Sequence, residues 1–339
     1  MKFMGAMTLR WWRGRVAYCP IFQSGSPNMR VLKTERLCLR WFEPSDVDYV
    51  LEQISEAGWK RNISDPGVND LAAARDWMAA KLFNWYWPQG LGLWAMERLS
   101  DGVVVGMCGL LQRDHLQAPD IGYALLPRYE GAGYAREAAQ ACRAYAHDVL
   151  GEPLLFGTTA TFNEASGRVL QAIGMQRLST GPLGDSTEDS HLYGVGESSR
   201  LNEDGQVRDL LARFFAVFDN RIGRHAPLAA LPYFFLPEAV ISRASLPAEP
   251  AGVQRMSVRE FVEPRVQMLA PGGRLQEFSE WVSEQQVQIS GRVAQVWLRY
   301  RKSGILDGQA FEGGGEKTVQ LVKPGRRWKI AAIAWQDRD

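Results

Sequence analysis

Two short stretches carry residue types whose spacing could do chemistry. The first runs from Asp120 to Ala138 and contains Pro127, then Gly131-Ala132-Gly133-Tyr134-Ala135. A strand-like segment ends at the proline, a turn of small residues follows, and a helical pattern begins. Gly131, Gly133 and Ala135 have almost no side chain, so a ligand can come close to the backbone. The first amides of a helix lack partners and carry about half a positive charge, which suits a phosphate or pyrophosphate. The spacing is neither G-x-G-x-x-G after a strand nor a P-loop ending in Gly-Lys-Ser/Thr. By itself such a turn also reads as a plain connection. The second stretch, Asn163-Glu164-Ala165-Ser166-Gly167-Arg168, gives it weight: Asn163 can cap a helix whose first turn holds Ser166.

The elements around these residues follow from periodicity. Val31–Trp41 alternates like a strand, with Leu37, Leu39 and Trp41 on one side. Pro44-Ser45-Asp46 opens a helix to Ile54, and Asn69-Asp70 opens another to about Phe83. Strands are expected at Leu93–Glu97, Val103–Leu111, Asp120–Leu126 and Leu154–Thr159, with helices over 133–150 and Asn163–Ile173. That order gives an α/β or α+β domain. After a polar linker at 197–204, an amphipathic helix spans Val207–Asn220 and a second covers Ser257–Met268. Strands then follow at Leu275–Val287, Val293–Lys302, Thr318–Val322 and Trp328–Trp335.

The turn and the Asn163/Ser166 segment together resemble the GNAT acyltransferase superfamily, specifically its ribosomal-protein N-acetyltransferase-like branch. Thr34-Glu35-Arg36-Leu37-Cys38-Leu39-Arg40 looks like that branch's first strand. The resemblance covers about 29–196. It implies a GNAT fold that takes acetyl-CoA as acyl donor, with the pyrophosphate on the amides of Gly131, Ala132, Gly133, Tyr134 and Ala135. It implies that the pantetheine arm pairs with Tyr123, Ala124, Leu125 and Leu126, and that Asn163 and Ser166 touch the pantetheine and its thiol end. Glu130 departs from the family, which often has Arg, Gln or an aromatic there. A carboxylate at that place repels a pyrophosphate unless it turns outward, and Arg128 and Arg136 are placed to compensate.

In the family an amine attacks the thioester directly and must first be neutral. At pH 7 that costs about 4–5 kcal/mol for a lysine-like amine and about 1 kcal/mol for an α-amine. A general base is therefore expected. Asp120 stands where relatives commonly carry Glu, and His115 is the second candidate. Each also reads as structural or solvated. Ser166 or Tyr134 would protonate the departing thiolate, and an amide near Leu125 would stabilise the oxyanion. Cys142 reads as core. Trp59, Trp77, Trp85, Tyr86, Trp87 and Trp94 read either as core or as an aromatic wall of the acceptor cleft.

Residues 205–339 resemble the SnoaL-like, nuclear-transport-factor-two-like superfamily. The carrying residues are Val293–Tyr300, Val319–Val322 and Arg327–Trp335. The resemblance implies an α+β cone with a curved antiparallel sheet around a pocket. Glu280, Arg243, Tyr300 and Trp297 are its candidate pocket residues. A dimerisation or ligand-sensing role is preferred, since fold does not decide function.

Composition sets the outer limits. The 339 residues are 46% hydrophobic and 23% charged, with 39 basic and 38 acidic side chains and a formal net charge of +1. That balance excludes a broadly basic nucleic-acid binder. No apolar run is long enough for a membrane helix. Four scattered cysteines, without C-x-x-C, fit a reduced cytoplasmic setting and no metal site. Residues 1–28 hold no acidic residue and read as a disordered extension, with Met29 a candidate start. The combined expectation is an acetyl-CoA-dependent N-acetyltransferase acting on a primary amine, either a small molecule or a protein N-terminus, and forming a homodimer. The alternatives are a CoA-binding sensor without turnover, or an isomerase or cyclase working in the C-terminal pocket.

Overall fold

The computed structural model describes residues 29–196, 201–222, 224, 226–245 and 252–338. The expected extension at 1–28 and the first half of the linker, 197–200, lie outside them. The first half of the chain runs β1 (Arg30–Lys33), β2 (Leu37–Arg40), α1 (Val47–Ser55), α2 (Ala57–Asn62), α3 (Leu71–Met78), α4 (Asn84–Gln89), β3 (Gly92–Arg98), β4 (Val104–Leu111) and β5 (Asp120–Leu125). It continues with α5 (Tyr134–Asp148), β6 (Leu154–Ala160), α6 (Glu164–Ala172), β7 (Gln176–Pro182) and β8 (Asp189–Gly196). These strands form one sheet in the order β1-β2-β3-β4-β5-β6-β8-β7.

Two local differences from the sequence reading have simple causes. The single strand expected over 31–41 is a hairpin, because Thr34 turns the chain: its Oγ1 accepts from Leu37 N–H at 3.0 Å. The helix expected from Asp70 to Phe83 starts as anticipated, with Asp70 Oδ1 accepting from Ala73 N–H at 2.8 Å. It then widens into a π turn at Ala79–Phe83 and continues as α4.

Every neighbouring pair in this sheet is antiparallel except β5 and β6, which are parallel and share one register pair, Asp120 with Phe156. Beyond that pair no ladder joins the two strands among the described residues. The sheet is thus split along the free edge of β5. On its other edge β5 is fully paired to β4, from Leu111↔Asp120 to Gly106↔Leu125.

The second half runs α7 (Glu203–Ala216), α8 (Leu231–Phe234), β9 (Phe235–Ala244), β10 (Val253–Met256), α9 (Val258–Leu269), β11 (Leu275–Ser290), β12 (Val293–Leu306), β13 (Gln309–Val322) and β14 (Lys329–Arg338). Glu203 and Asp204, read as linker, are already the first turn of α7, which Asn202 caps through its side chain at 2.8 Å. The sheet order is β10-β9-β14-β13-β12-β11. All its pairings are antiparallel except β9 with β14, which are parallel, so the sheet is mixed rather than antiparallel throughout.

The two halves share one hydrophobic core. Gly90, in the left-handed region at φ +65°, ends α4 and lets the backbone of Tyr233 approach. A Cβ there would fall 2.5 Å from Tyr233 N. The aromatic residues expected as a possible cleft wall mostly pack inside the first half, and Trp87 reaches the second. Trp94 and Tyr86 are fully buried, and Trp59 nearly so. Trp41 stacks on Tyr86 at 4.7 Å and meets Trp87 edge-on, while the Arg259 guanidinium lies over Trp87. Polar contacts add to the junction: Arg213 of α7 donates to Asp148 O at 2.6 Å, and Arg327 pairs with Glu152.

Candidate active site

Gly131 and Gly133 have φ of +76° and +84°, a conformation that favours glycine. Gly133 is the residue before the first turn of α5. A Cβ on Gly131 would meet nothing within 4 Å, and one on Gly133 would meet only Arg36, at 3.5 Å. The space in front of the turn is therefore open and would be narrowed by any side chain. Gly131, Ala132, Gly133 and Ala135 are exposed or half-buried, while Tyr134 is buried, with Arg36 over its ring at 4.6 Å.

The turn is fixed from a distance by the β1–β2 hairpin. Arg36 Nε and its backbone N–H donate to Glu137 at 2.7 and 2.9 Å, Thr34 Oγ1 donates to Glu137 Oε1 at 2.6 Å, and Arg36 Nη1 donates to Ala132 O at 3.0 Å. Burial raises the Glu137 carboxyl, but these donors outweigh it and hold the group below its usual range. Glu130 is exposed. Arg128, expected to compensate it, instead binds Glu52 of α1, with Nη2 to Oε2 at 2.9 Å. Arg136 remains exposed on α5.

The split edge of β5 leads from the turn to the other residues. Leu126 N–H donates to Val105 O on the β4 side at 3.3 Å. Successive amides of a strand alternate edges, so the N–H groups of Leu125 and Tyr123 face the opening. Leu125 O accepts from Gln53 Nε2 at 3.3 Å. Leu125 lies five residues from Asp120, about 16 Å at a strand's rise of ~3.3 Å. An amide at Leu125 and a base at Asp120 therefore cannot act on the same carbonyl, and the Tyr123 amide is the nearer one.

Side chains alternate too, so Asp120, Gly122 and Ala124 share one face of β5 while Ile121, Tyr123 and Leu125 share the other. On the second face, Tyr123 OH reaches α6: it donates to Ser166 O at 2.9 Å and lies 2.9 Å from Ser166 Oγ. Burial pushes the Tyr123 hydroxyl pKa up. Asn163 Oδ1 caps α6 by accepting from Ser166 N–H at 3.1 Å. The Tyr123–Ser166 contact escapes a reading of spacing, because 43 residues separate the partners. On the first face, Asp120 is 1% exposed. Arg113 Nε sits 3.0 Å from both its oxygens. Burial raises the Asp120 carboxyl above the ordinary range, with Arg113 and then His115 pulling the other way. His115 itself is exposed, in the loop between β4 and β5.

The arrangement is a glycine turn at a helix start, a strand edge beside it that pairs with β6 only at Asp120, and ionisable groups on the two faces of that strand. Residues 36–176 match the family model described as an acetyltransferase (GNAT) domain. A Bacillus subtilis (strain 168) protein known as uncharacterized protein YkkB is 32% identical over 164 residues, 44% of this chain and 87% of that protein. The chain belongs to the GNAT acetyltransferase family. The uncharacterized N-acetyltransferase YoaA of the same organism is 26% identical over 149 residues, 43% of this chain and 83% of that protein. A crystal structure of a GNAT-family acetyltransferase from Bacillus anthracis is similar at 26% identity and a TM-score of 0.42, covering 50% of this chain and 99% of that one.

The family-model match lies in the first half of the chain, and each of the other matches covers half of the chain or less. In the second half, the candidates Glu280, Tyr300 and Arg243 join one buried polar cluster. Lys317 Nζ donates to Glu280 at 2.6 Å, and Tyr300 OH donates to Asp337 at 2.6 Å, with Lys302 on the same carboxylate and Arg243 at 3.6 Å. Burial lowers the Lys317 amine pKa. Trp297 does not join them. It alternates with the buried Val296 and Leu298 and lies on the opposite face, beside Arg299. A groove of about 550 Å³ between α7 and β11, lined by Phe215, Asp219, Arg221, Arg224 and Trp281 among others, reaches Glu280. Among the described residues no helix is long and apolar enough to cross a membrane, and no three His, Cys, Asp or Glu are grouped to hold a metal.

Proposed function

We propose that the chain is an acetyl-CoA-dependent N-acetyltransferase whose acceptor is a primary amine, on a small molecule or a protein N-terminus. The observation that carries this reading is the unpaired edge of β5 running into the Gly131–Gly133 turn at the start of α5. The amides of Gly131, Ala132, Gly133, Tyr134 and Ala135 would hold the pyrophosphate, as unsatisfied helix-start donors do. The outward amides of Tyr123 and Leu125 and the Tyr123 carbonyl would take the pantetheine arm as if it were a further strand, next to the Leu125 carbonyl that Gln53 holds. Bound there, acetyl-CoA supplies the activated acetyl thioester.

The chain's own groups then divide by face. Asp120 takes the proton from the incoming amine, directly or through a water. Its raised pKa brings it closer to the operating pH, where a general base works best. Arg113 must turn away to free a lone pair, and it is 43% exposed on a loop, so it has room to do so. The Tyr123 amide faces the carbonyl oxygen. On the opposite face Ser166, hydrogen-bonded to Tyr123, holds a hydroxyl proton for the departing sulfur. Tyr134 is poorly suited, being 9% exposed beneath Arg36.

The second half supports an accessory SnoaL-like role. Its six-stranded mixed sheet, covered by α7 and α9, and its groove fit a ligand-binding or dimerisation module, and a homodimer is the assembly we assign. The groove's volume falls within the range of small-ligand sites, which keeps an isomerase or cyclase in that pocket as the second reading.

The deciding test is calorimetric titration of acetyl-CoA into the full chain, followed by an amine screen scored by free thiol. Micromolar binding with thiol release on amine addition is the expected result. Binding without release for every amine class would leave a CoA sensor. No binding would overturn the donor site and move attention to the α7–β11 groove.

A further inference from the structure

We infer that Arg36 is a positioning residue for the acyl donor: it screens the Glu137 carboxylate and sets the shape of the pyrophosphate turn. The inference rests on the reading of that turn as the donor's phosphate seat.

Glu137 stands in the first turn of α5. An acidic side chain there steadies the helix, because it faces the positive end of the dipole. The same end must receive the negative pyrophosphate, so an unscreened Glu137 would oppose the ligand that the turn is shaped for. The structure answers this with donors brought from 101 residues away. Both carboxylate oxygens are engaged: Oε1 by Thr34 Oγ1 and the Arg36 amide, Oε2 by the Arg36 guanidinium. The same guanidinium donates to Ala132 O in the middle of the turn and covers the Tyr134 ring. It lies at the edge of the space a Cβ on Gly133 would enter. One planar group thus ties three points: the helix carboxylate, the turn carbonyl and the ring that follows. A lysine supplies charge but not that forked geometry. Arg36 is 44% exposed, and its Nη2 borders the space beside Gly133.

This arrangement separates two contributions that mutations can measure. Arg36→Ala removes the screen and the tie. Glu137→Gln removes the charge that needs screening. Arg36→Ala/Glu137→Gln removes the tie alone, with no carboxylate left exposed. CoA affinity would be read by calorimetry at low and moderate salt, with melting temperature and steady-state kinetics alongside. We expect Arg36→Ala to raise the Kd for CoA tenfold or more, with the larger effect at low salt. The KM for acetyl-CoA should rise in step while kcat stays within twofold. The double variant should regain at least threefold of the lost affinity. Arg36→Lys should bind between wild type and Arg36→Ala.

Arg36→Ala with wild-type affinity would overturn the inference. A double variant no better than Arg36→Ala would overturn the screening role. Should Arg36→Ala be unfolded at the assay temperature, the comparison passes to Arg36→Lys, and affinity equal to wild type would overturn the tie. Wild-type protein that binds no CoA would instead overturn the donor reading, a failure these variants do not produce.

Discussion

Asp120→Asn is the substitution that discriminates best between a base and a strut. The side chain is 1% exposed, and its partner Arg113 is 43% exposed. Asparagine keeps one oxygen for Arg113, and the arginine it partly releases reaches water. The fold should therefore survive, with a loss of about 1–2 kcal/mol for the weakened charge-assisted bond. Activity should not. A positioned base contributes about 10²- to 10⁴-fold. Without it, only amine already neutral in solution can react. At pH 7 that is about one molecule in ten for an α-amine and about one in 2,500 for a lysine-like amine, or roughly 1.4 against 4.6 kcal/mol. The deficit of Asp120→Asn should thus be much larger for ε-amines than for α-amines. Raising the pH from 7 to 9 should restore the variant by about tenfold for the α-amine and about 100-fold for the ε-amine.

The sign on the acid side follows from the same carboxylate. Burial raises the Asp120 pKa, and only the ionised form accepts a proton. Wild-type kcat/KM should therefore be present at neutral pH and fall as pH drops through a midpoint above the ordinary ~3.9. Arg113→Ala removes a charge that lowers this pKa, so it should move the midpoint further up. The assay is kcat/KM for one α-amine and one ε-amine between pH 5 and 9, by thiol release. A folded Asp120→Asn enzyme within twofold of wild type, with an unchanged acid limb, would refute the base and leave Asp120 as the anchor of Arg113.

Other consequences can be checked separately. Gly133→Val forces a β-branched residue to φ +84°, at roughly 1–2 kcal/mol of stability, and narrows the seat; calorimetry should show at least 100-fold weaker acetyl-CoA binding with only a modest drop in melting temperature. Ser166→Ala should lower kcat tenfold or more with little change in the KM for acetyl-CoA, measured in the steady state. Tyr86→Phe loses a donation to Leu93 O at 2.6 Å and leaves Phe42 N–H, 3.2 Å away, without its acceptor, so urea denaturation should show a loss of about 1–3 kcal/mol. Lys317→Met strands Glu280 in a site where both side chains are nearly buried; the expected cost is about 3–5 kcal/mol, with Lys317→Met/Glu280→Leu close to wild type by the same measurement.

The residues that were legible in the sequence share a property: their meaning is local. Pro127, the Gly131-Ala132-Gly133 turn and the Asn163 cap each specify their own backbone within a few positions. That suffices to place the turn that opens α5 and the start of α6. The parity of a strand is local too, and it already separates Trp297 from Tyr300 and Leu125 from Asp120. Those two assignments needed only the rise and alternation of a β-strand. What is not local could not be read. Nothing within ten residues of Thr34-Glu35-Arg36 indicates that it closes over Glu137, and nothing near Tyr123 indicates Ser166. The tryptophans show the limit most clearly. Trp94 on β3 packs against Tyr145 of α5, while Trp41 and Trp87 meet beneath Arg259 from the second half. Whether an aromatic lines a cleft or fills a junction depends on what the rest of the chain brings to it. Here Trp59, Trp77 and Trp94 are taken up by packing inside the first half, and Trp87 meets Arg259 of α9 at the junction. On the proposed reading, acceptor recognition then falls to the face of β5 that carries Asp120 and Gly122. Substitutions there, rather than at the tryptophans, should change which amine is used.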